Sequence, residues 1–332
     1  MVRLICTLIV ISLIGVQLLA GCTGSGGPST SNGTGGQSGN AATQKVVIGT
    51  MITEDFLPMW VAEHEGIFQQ EGIQVQLVAF QSAQELTTAI TAHEVDMAMT
   101  DPMVAATLTV GGTPVDLLWV TLGETAAQGR FGIMTSPASG VRTLQDLAGK
   151  PIGVGSNTML EYMMDKLMEQ AGVPQDQIVK EEIKKIPVRY EMMTSNQVAA
   201  AALPASLLYL GEQTGMVLVA DDTHGENLSM SVMVARSDFA ATPEGQRAIT
   251  QVQASWDQAA GLINANPTAY RTLLVERASL PELIASDYPV STYPLAKLPP
   301  TEVVGSMLSW MTAKGYLEQP LGYDGLTGKF IL

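Results

Sequence analysis

Between Lys45 and Phe80 the chain reads KVVIGTMITEDFLPMWVAEHEGIFQQEGIQVQLVAF, and its hydrophobic period changes twice on the way. Val46-Val47-Ile48 is a β-branched apolar run without polar alternation, the pattern of a strand buried on both faces. Polar residues fill Gly49 to Phe56, where that strand ends. Pro58 then stands near a first helical turn, where its missing N–H costs nothing. Leu57, Trp60, Val61, His64 and Phe68 recur at helical spacing, so one face of this helix is apolar. Glu71-Gly72 breaks the period, and Ile73, Val75, Leu77 and Ala79 alternate as a second strand. The result is a strand–helix–strand unit whose ligand-facing corner is the carboxyl end of its first strand, Thr50 to Phe56.

The alternation continues. The spacing predicts a helix over 84–93, a strand over 95–100, a helix over 102–110 capped by Asp101, and a strand over 115–122. Gly123 to Gly129 interrupts the series. A second one follows: strand 131–134, a short helix at 144–148, strand 151–154, helix 157–171, strands 178–183 and 198–203, helix 204–212, and strands 216–220 and 229–235. From Pro243 onward the pattern is mostly helical, with long helices at 246–264 and 302–314. Such alternation specifies a parallel or mixed sheet with helices on both faces.

The ordered segments GTMITEDFLPMWVAEHEGIFQQEGIQVQLVAF, TAHEVDMAMTD, LAGKPIGVGSNT, NQVAAAALPASL, INANPTAYRTLLVE and LSWMTAKGYL resemble solute-binding proteins of the nitrate/sulfonate/taurine type. That group also includes binders of thiamine-pyrimidine precursors. The resemblance covers essentially the whole chain after residue 44. It implies an α/β, two-lobe periplasmic-binding-protein-like (type II) fold with two hinge crossings and a helical C-terminal region. Lobe 1 is expected at 45–129 plus 236–332 and lobe 2 at 130–235, with crossings near 124–130 and 234–237. It further implies capture of a small polar solute by hinge closure and delivery to ABC permease subunits in the membrane. Members that act as pyrimidine synthases use a cysteine- and histidine-bearing iron site, and no counterpart occurs in this sequence.

Residues 1–21 read as a targeting segment, with Arg3 ahead of an apolar run over 4–19 that is short for a membrane span. It ends in Leu19-Ala20-Gly21-Cys22, which resembles a bacterial lipobox, so Cys22 is the expected lipidation site and a fatty anchor on the outer face of the cell membrane is implied. Residues 22–44 are a Gly, Ser, Thr and Asn tract with a reach on the order of 25 Å as a random coil, a flexible linker by composition. The net charge of −15 disfavours nucleic acid as a partner, because phosphate binding requires clustered Lys and Arg. The only cysteines are Cys6 and Cys22, so the body carries no disulfide and no thiolate cluster. The three histidines have no metal-ligand spacing, and neither a metal nor a cofactor is expected. A monomer is the expected state.

The carboxyl-end rule selects the candidate loops. They are Thr53-Glu54-Asp55-Phe56, Gln81-Ser82 and Thr100-Asp101 in the first series, and Ser156-Asn157-Thr158 in the second. Glu54, Asp55 and Asp101 could accept hydrogen bonds from an amine, amidine or aminopyrimidine, or could cap helices and face water. Phe56 could stack on a planar solute or staple the helix entry. The loop GVGSNT approaches a dinucleotide fingerprint but has Thr158 in the third glycine position. Its helix N-terminus can hold a polar group, or Ser156 or Asn157 can cap that helix. Arg130 is the candidate for an anionic group, or else a hinge ion pair. Arg189 is expected on a surface helix. GxSxG and P-loop patterns are missing, and no enzyme is expected. The alternatives are an exported lyase or dehydratase using Asp101 or Glu54 as base, and a sensory lipoprotein.

Overall fold

The computed structural model describes residues 45–332, so Cys22 and the segments assigned to leader and linker lie outside the described residues. The opening unit forms as its periodicity demands. Strand β1 (Lys45–Met51) leads through one 3-10 turn into α1 (Leu57–His64) and α2 (Ile67–Gln70), then β2 (Gln74–Phe80). Next come α3 (Ala83–Thr91), β3 (Met97–Thr100), α4 (Pro102–Val110) and β4 (Val115–Leu122). The middle of the chain gives β5 (Phe131–Thr135), β6 (Pro151–Val154), α5 (Met159–Gln170), β7 (Val179–Glu182) and α6 (Ile186–Thr194). It continues with β8 (Ala200–Pro204), α7 (Ala205–Gln213), β9 (Val217–Asp221) and β10 (Ser231–Arg236). The remainder is α8 (Ser237–Ala240), α9 (Pro243–Ala265), α10 (Arg271–Arg277), α11 (Glu282–Ala285), α12 (Thr301–Ala313) and a hairpin, β11 (Gly322–Asp324) with β12 (Lys329–Ile331). The hairpin strands are three residues each, too short to show a period, and the sequence gives no sign of them.

Two five-stranded sheets result, in the orders β2-β1-β3-β10-β4 and β7-β6-β8-β5-β9. In each, four strands run in one direction and the fifth is antiparallel to both of its neighbours: β10 in the first sheet and β5 in the second. Both antiparallel strands follow directly on a passage of the chain from one sheet to the other.

The second passage lies earlier than the sequence suggests. Every residue of β10 is buried, and it pairs with β3 on one side and β4 on the other. Ser231 to Arg236 therefore belongs to the first sheet, and the chain crosses within 222–230 rather than near 234–237. The reason is energetic: an apolar run that has a sheet neighbour on each side buries both faces and both edges, and a polar connector cannot.

The first sheet is backed by α9. Its Ala248, Val252, Trp256, Ala259, Ala260 and Ile263 are fully buried at helical spacing. Trp256 meets Trp119 of β4 at 6.1 Å between ring centroids, and its Nε1 donates to Pro294 O at 2.9 Å. Replacing Trp256 with alanine is expected to cost about 3–5 kcal/mol, read as a lower urea midpoint at unchanged slope. A second core joins the sheets through α4, α5 and α12, where Tyr162 packs edge-on against Trp310 at 5.5 Å. Glu161 and Asp165 are buried beside this contact, held by Lys180, Lys314 and the Tyr316 hydroxyl.

Candidate functional site

Between the sheets lies a cavity of about 700 Å³. One wall is built from the carboxyl ends of β1 and β3 and the residues that follow them, with Ser82 at the start of α3 and Ser231 at the start of β10. The other is built from Gly155 to Leu160, Ile186, Arg189 and Pro204. Four methionines, Met51, Met99, Met159 and Met230, line it as well. Thioether side chains are flexible and polarisable, so this wall adapts to the shape of an apolar body.

Eight of the twelve selected residues line the cavity: Thr53, Asp55, Ser82, Thr100, Asp101, Ser156, Asn157 and Thr158. Four do not. Phe56 is fully buried and packs edge-on against Trp60 at 5.8 Å, which is the staple role. Glu54 turns into the core, where the Tyr288 hydroxyl donates to its carboxylate and the Tyr293 hydroxyl donates to its backbone carbonyl at 2.8 Å. Gln81 is exposed, its backbone N–H bonded to Glu85 at 3.0 Å. Arg130 is paired beside the second sheet: it forks onto Glu212 of α7 at 2.8 and 2.9 Å, and its Nε donates to Asp221 of β9 at 2.8 Å. A guanidinium held by two carboxylates has little positive field left for a solute, so the anion-binding reading of Arg130 fails.

The loop after β6 also differs from expectation. Neither Ser156 nor Asn157 caps α5. The N–H and hydroxyl of Ser156 both go to Glu182, and the N-cap residue is Thr158, whose hydroxyl donates to Gly155 O at 2.7 Å. The α5 N-terminus is met instead from across the cavity, where Asp101 Oδ2 accepts from Met159 N–H at 3.2 Å. Asp101 caps α4 as the sequence predicts, through Oδ1 to Met103 and Val104 at 2.9 and 2.8 Å.

Arg189 overturns its expected place on the surface. It is 2% exposed and lines the cavity. Its Nε and Nη2 donate to Ile183 O at 3.1 and 2.9 Å, and Nη1 donates to Ala202 O at 2.9 Å. A guanidinium carries five N–H groups, so two remain, and no carboxylate among the described residues forms an ion pair with it. Burial pulls its pKa down to about 10, against an opposing effect of Glu182, and it stays charged at neutral pH. The signal was in the strand: Gly153 and Gly155 leave the space it fills, since a Cβ there would stand 3.1 Å from Arg189 Cγ and 3.0 Å from Nη2 respectively.

The opposite wall is acidic and buried. Burial raises the Asp55 carboxyl above its usual range, partly offset by the Ser231 hydroxyl beside it. Burial likewise raises Asp101 to about 6, offset in part by the three N–H groups it accepts. The hydroxyl oxygens of Thr53 and Thr100 and Oδ1 of Asn157 are buried without a hydrogen-bond partner. Unpaired buried polar atoms are costly, and these three line the same cavity. Among the described residues no group of three or more His, Cys, Asp or Glu is placed to hold a metal ion.

The model of the family described as NMT1/THI5 like matches residues 53–268, which carry most of both sheets and all of the cavity lining except Met51. The chain belongs to the NMT1/THI5-like family. No curated protein matches it. Solved structures do. The alkanesulfonate-binding protein SsuA from Xanthomonas axonopodis pv. citri bound to MOPS superposes with a TM-score of 0.70 at 18% identity, covering 84% of this chain and 96% of that one. The periplasmic aliphatic sulphonate-binding protein SsuA from Escherichia coli gives 0.68 at 16% identity, with 83% and 89% covered. The periplasmic nitrate-binding protein NrtA from Synechocystis PCC 6803 gives 0.65 at 13% identity, with 83% of each covered. At these identities the likeness fixes the fold. Glu54 faces the core, and Asp101 holds three backbone N–H groups.

Proposed function

We propose that the protein is an extracytoplasmic solute-binding lipoprotein that captures a small polar solute by closure of two lobes and delivers it to an ABC importer. One observation carries the reading: a cavity of about 700 Å³ between two sheets, with a buried guanidinium that has no carboxylate partner on one wall and unpaired hydroxyls with a carboxyl on the other. Such groups cost stability unless a bound molecule satisfies them. Arg189 suits a sulfonate or carboxylate, while Asp55, Thr53 and Thr100 suit a donor on the same molecule. The methionines suit the apolar part between them. Solute that touches both walls stabilises the closed arrangement by its differential affinity for it. Lipidation at Cys22 tethers the body outside the cell, and the permease partner follows from the family's solute-binding members.

A panel of taurine, longer sulfonates, nitrate, carboxylates and aminopyrimidines tests this. The right solute is expected to raise the melting temperature and shrink the scattering radius, and a complete panel that changes neither overturns the reading. Arg189→Met is expected to weaken any anionic hit by about a hundredfold, the loss of a charge-assisted bidentate contact at a buried residue. An unchanged affinity would remove Arg189 from the site.

A further inference from the structure

Asp101 serves two helices that belong to different sheets. Its Oδ1 accepts from the first turn of α4 and its Oδ2 from Met159 N–H in the first turn of α5. Beside it Asn157, held at φ 56°, makes a second bond across the gap, its Nδ2 donating to Thr107 Oγ1 at 2.6 Å. Helix α5 has twelve residues and no side-chain cap of its own. Two helix N-termini brought together present like partial charges, each equivalent to roughly half a proton charge. The buried Arg189 guanidinium adds to that positive end, close enough that a Cβ on Gly155 would stand 3.0 Å from its Nη2. A small free oxyanion is what such a corner attracts. Here the carboxylate of Asp101 already occupies the α5 terminus.

We propose that Asp101 is an intramolecular stand-in for an anion: it draws the two lobes together through its second oxygen and denies the α5 N-terminus to a small free oxyanion. The second half rests on the reading of the cavity as a solute site; the first half does not. It assigns Asp101 the role of a positioning and specificity residue. The anionic group of a solute is directed to Arg189, and an ion too small to reach the methionine-lined wall gains nothing at α5.

Two variants separate the roles. Asp101→Asn keeps the α4 cap, because asparagine caps as well as aspartate. It has one acceptor oxygen, so its amide NH₂ then faces the Met159 N–H and the cross-lobe bond is lost. Met159→Pro removes the N–H and leaves the carboxylate in place. Proline fits the first helical position, and Thr158 is already extended at φ −132° and ψ 163°, as a residue before proline must be. Small-angle scattering without solute is expected to show a larger radius for both variants than for the wild type. Calorimetry with inorganic nitrate at low ionic strength is expected to show binding about tenfold or more tighter for Asp101→Asn only. A folded variant of either kind with the wild-type radius overturns the latch. Asp101→Asn that opens without gaining nitrate overturns the exclusion. If Asp101→Asn does not fold, the radius of Met159→Pro decides. A solute panel that finds no ligand leaves the radius comparison standing, so this inference and the transport reading fail separately.

Discussion

Raising the pH from 5 to 9 is expected to lower the melting temperature, and Glu54 is the main cause. Burial, reinforced by the neighbouring Asp55 charge, pushes its carboxyl up to about 8 against an ordinary 4.5. Asp101 and Asp222 are raised to about 6, each chiefly by burial, and Asp55 is raised as well. Between the ordinary carboxyl range and about 8 the folded chain therefore holds protons that the unfolded chain has released. Stability falls with pH wherever the folded state binds more protons, so the loss accumulates as pH rises through 6 and then 8. Asp221 is lowered, not raised, with Arg130 bonded to it, and its opposing contribution falls below this window. A tenfold change in proton affinity is worth about 1.4 kcal/mol, which puts the effect of Glu54 on the order of 3–5 kcal/mol. Glu54→Gln keeps an acceptor for the Tyr288 hydroxyl and abolishes the titration. It is expected to flatten the curve between pH 6 and 8 and to leave a shallower slope below 6, where Asp101 and Asp222 still contribute. A wild-type melting temperature that is level from pH 5 to 9 would sink this account.

The second large effect is expected at Gly123, where the two passages between the sheets cross. Its backbone sits at φ 81°, and a Cβ there would lie 2.3 Å from Ser229 O and 3.0 Å from Met230 Cα. Asn227 bonds the same spot, its Nδ2 donating to Gly123 O at 2.8 Å. The passages thus pack backbone against backbone with no room for a side chain. Gly123→Ala is expected to cost about 3 kcal/mol or more, combining left-handed strain with a clash that has no flexible partner to yield. Gly172 is the matched control: it has φ 76° and nothing within 4 Å of its missing Cβ, so Gly172→Ala should cost only about 1–2 kcal/mol. Equal losses in urea titrations of the two variants would show that the crossing tolerates separation.

Much of the fold was legible locally. The run 46–48, the helix at 102–110 under Asp101, and the strands 115–122 and 151–154 stand where their periods put them, because each element has a single apolar face or a fully buried run to satisfy. The loops at strand carboxyl ends were legible for the same reason, and eight of the eleven residues selected there do face the cavity.

The direction and partner of each polar side chain were not. Arg130 and Arg189 look alike in sequence, yet one is neutralised by Glu212 and Asp221 while the other is buried with two N–H groups to spare. Glu54 and Asp55 are adjacent, yet one meets Tyr288 in the core and the other the cavity. Strand Ser231–Arg236 was visible, but not the sheet it joins. The chain alone determined which segments are strands and helices, since hydrophobic period is a property of neighbours along the backbone. Only the tertiary structure decided which polar groups meet: the partners of Arg130 lie 82 and 91 residues away and that of Glu54 lies 234 away, and each pair forms only when distant segments pack around the same sheet.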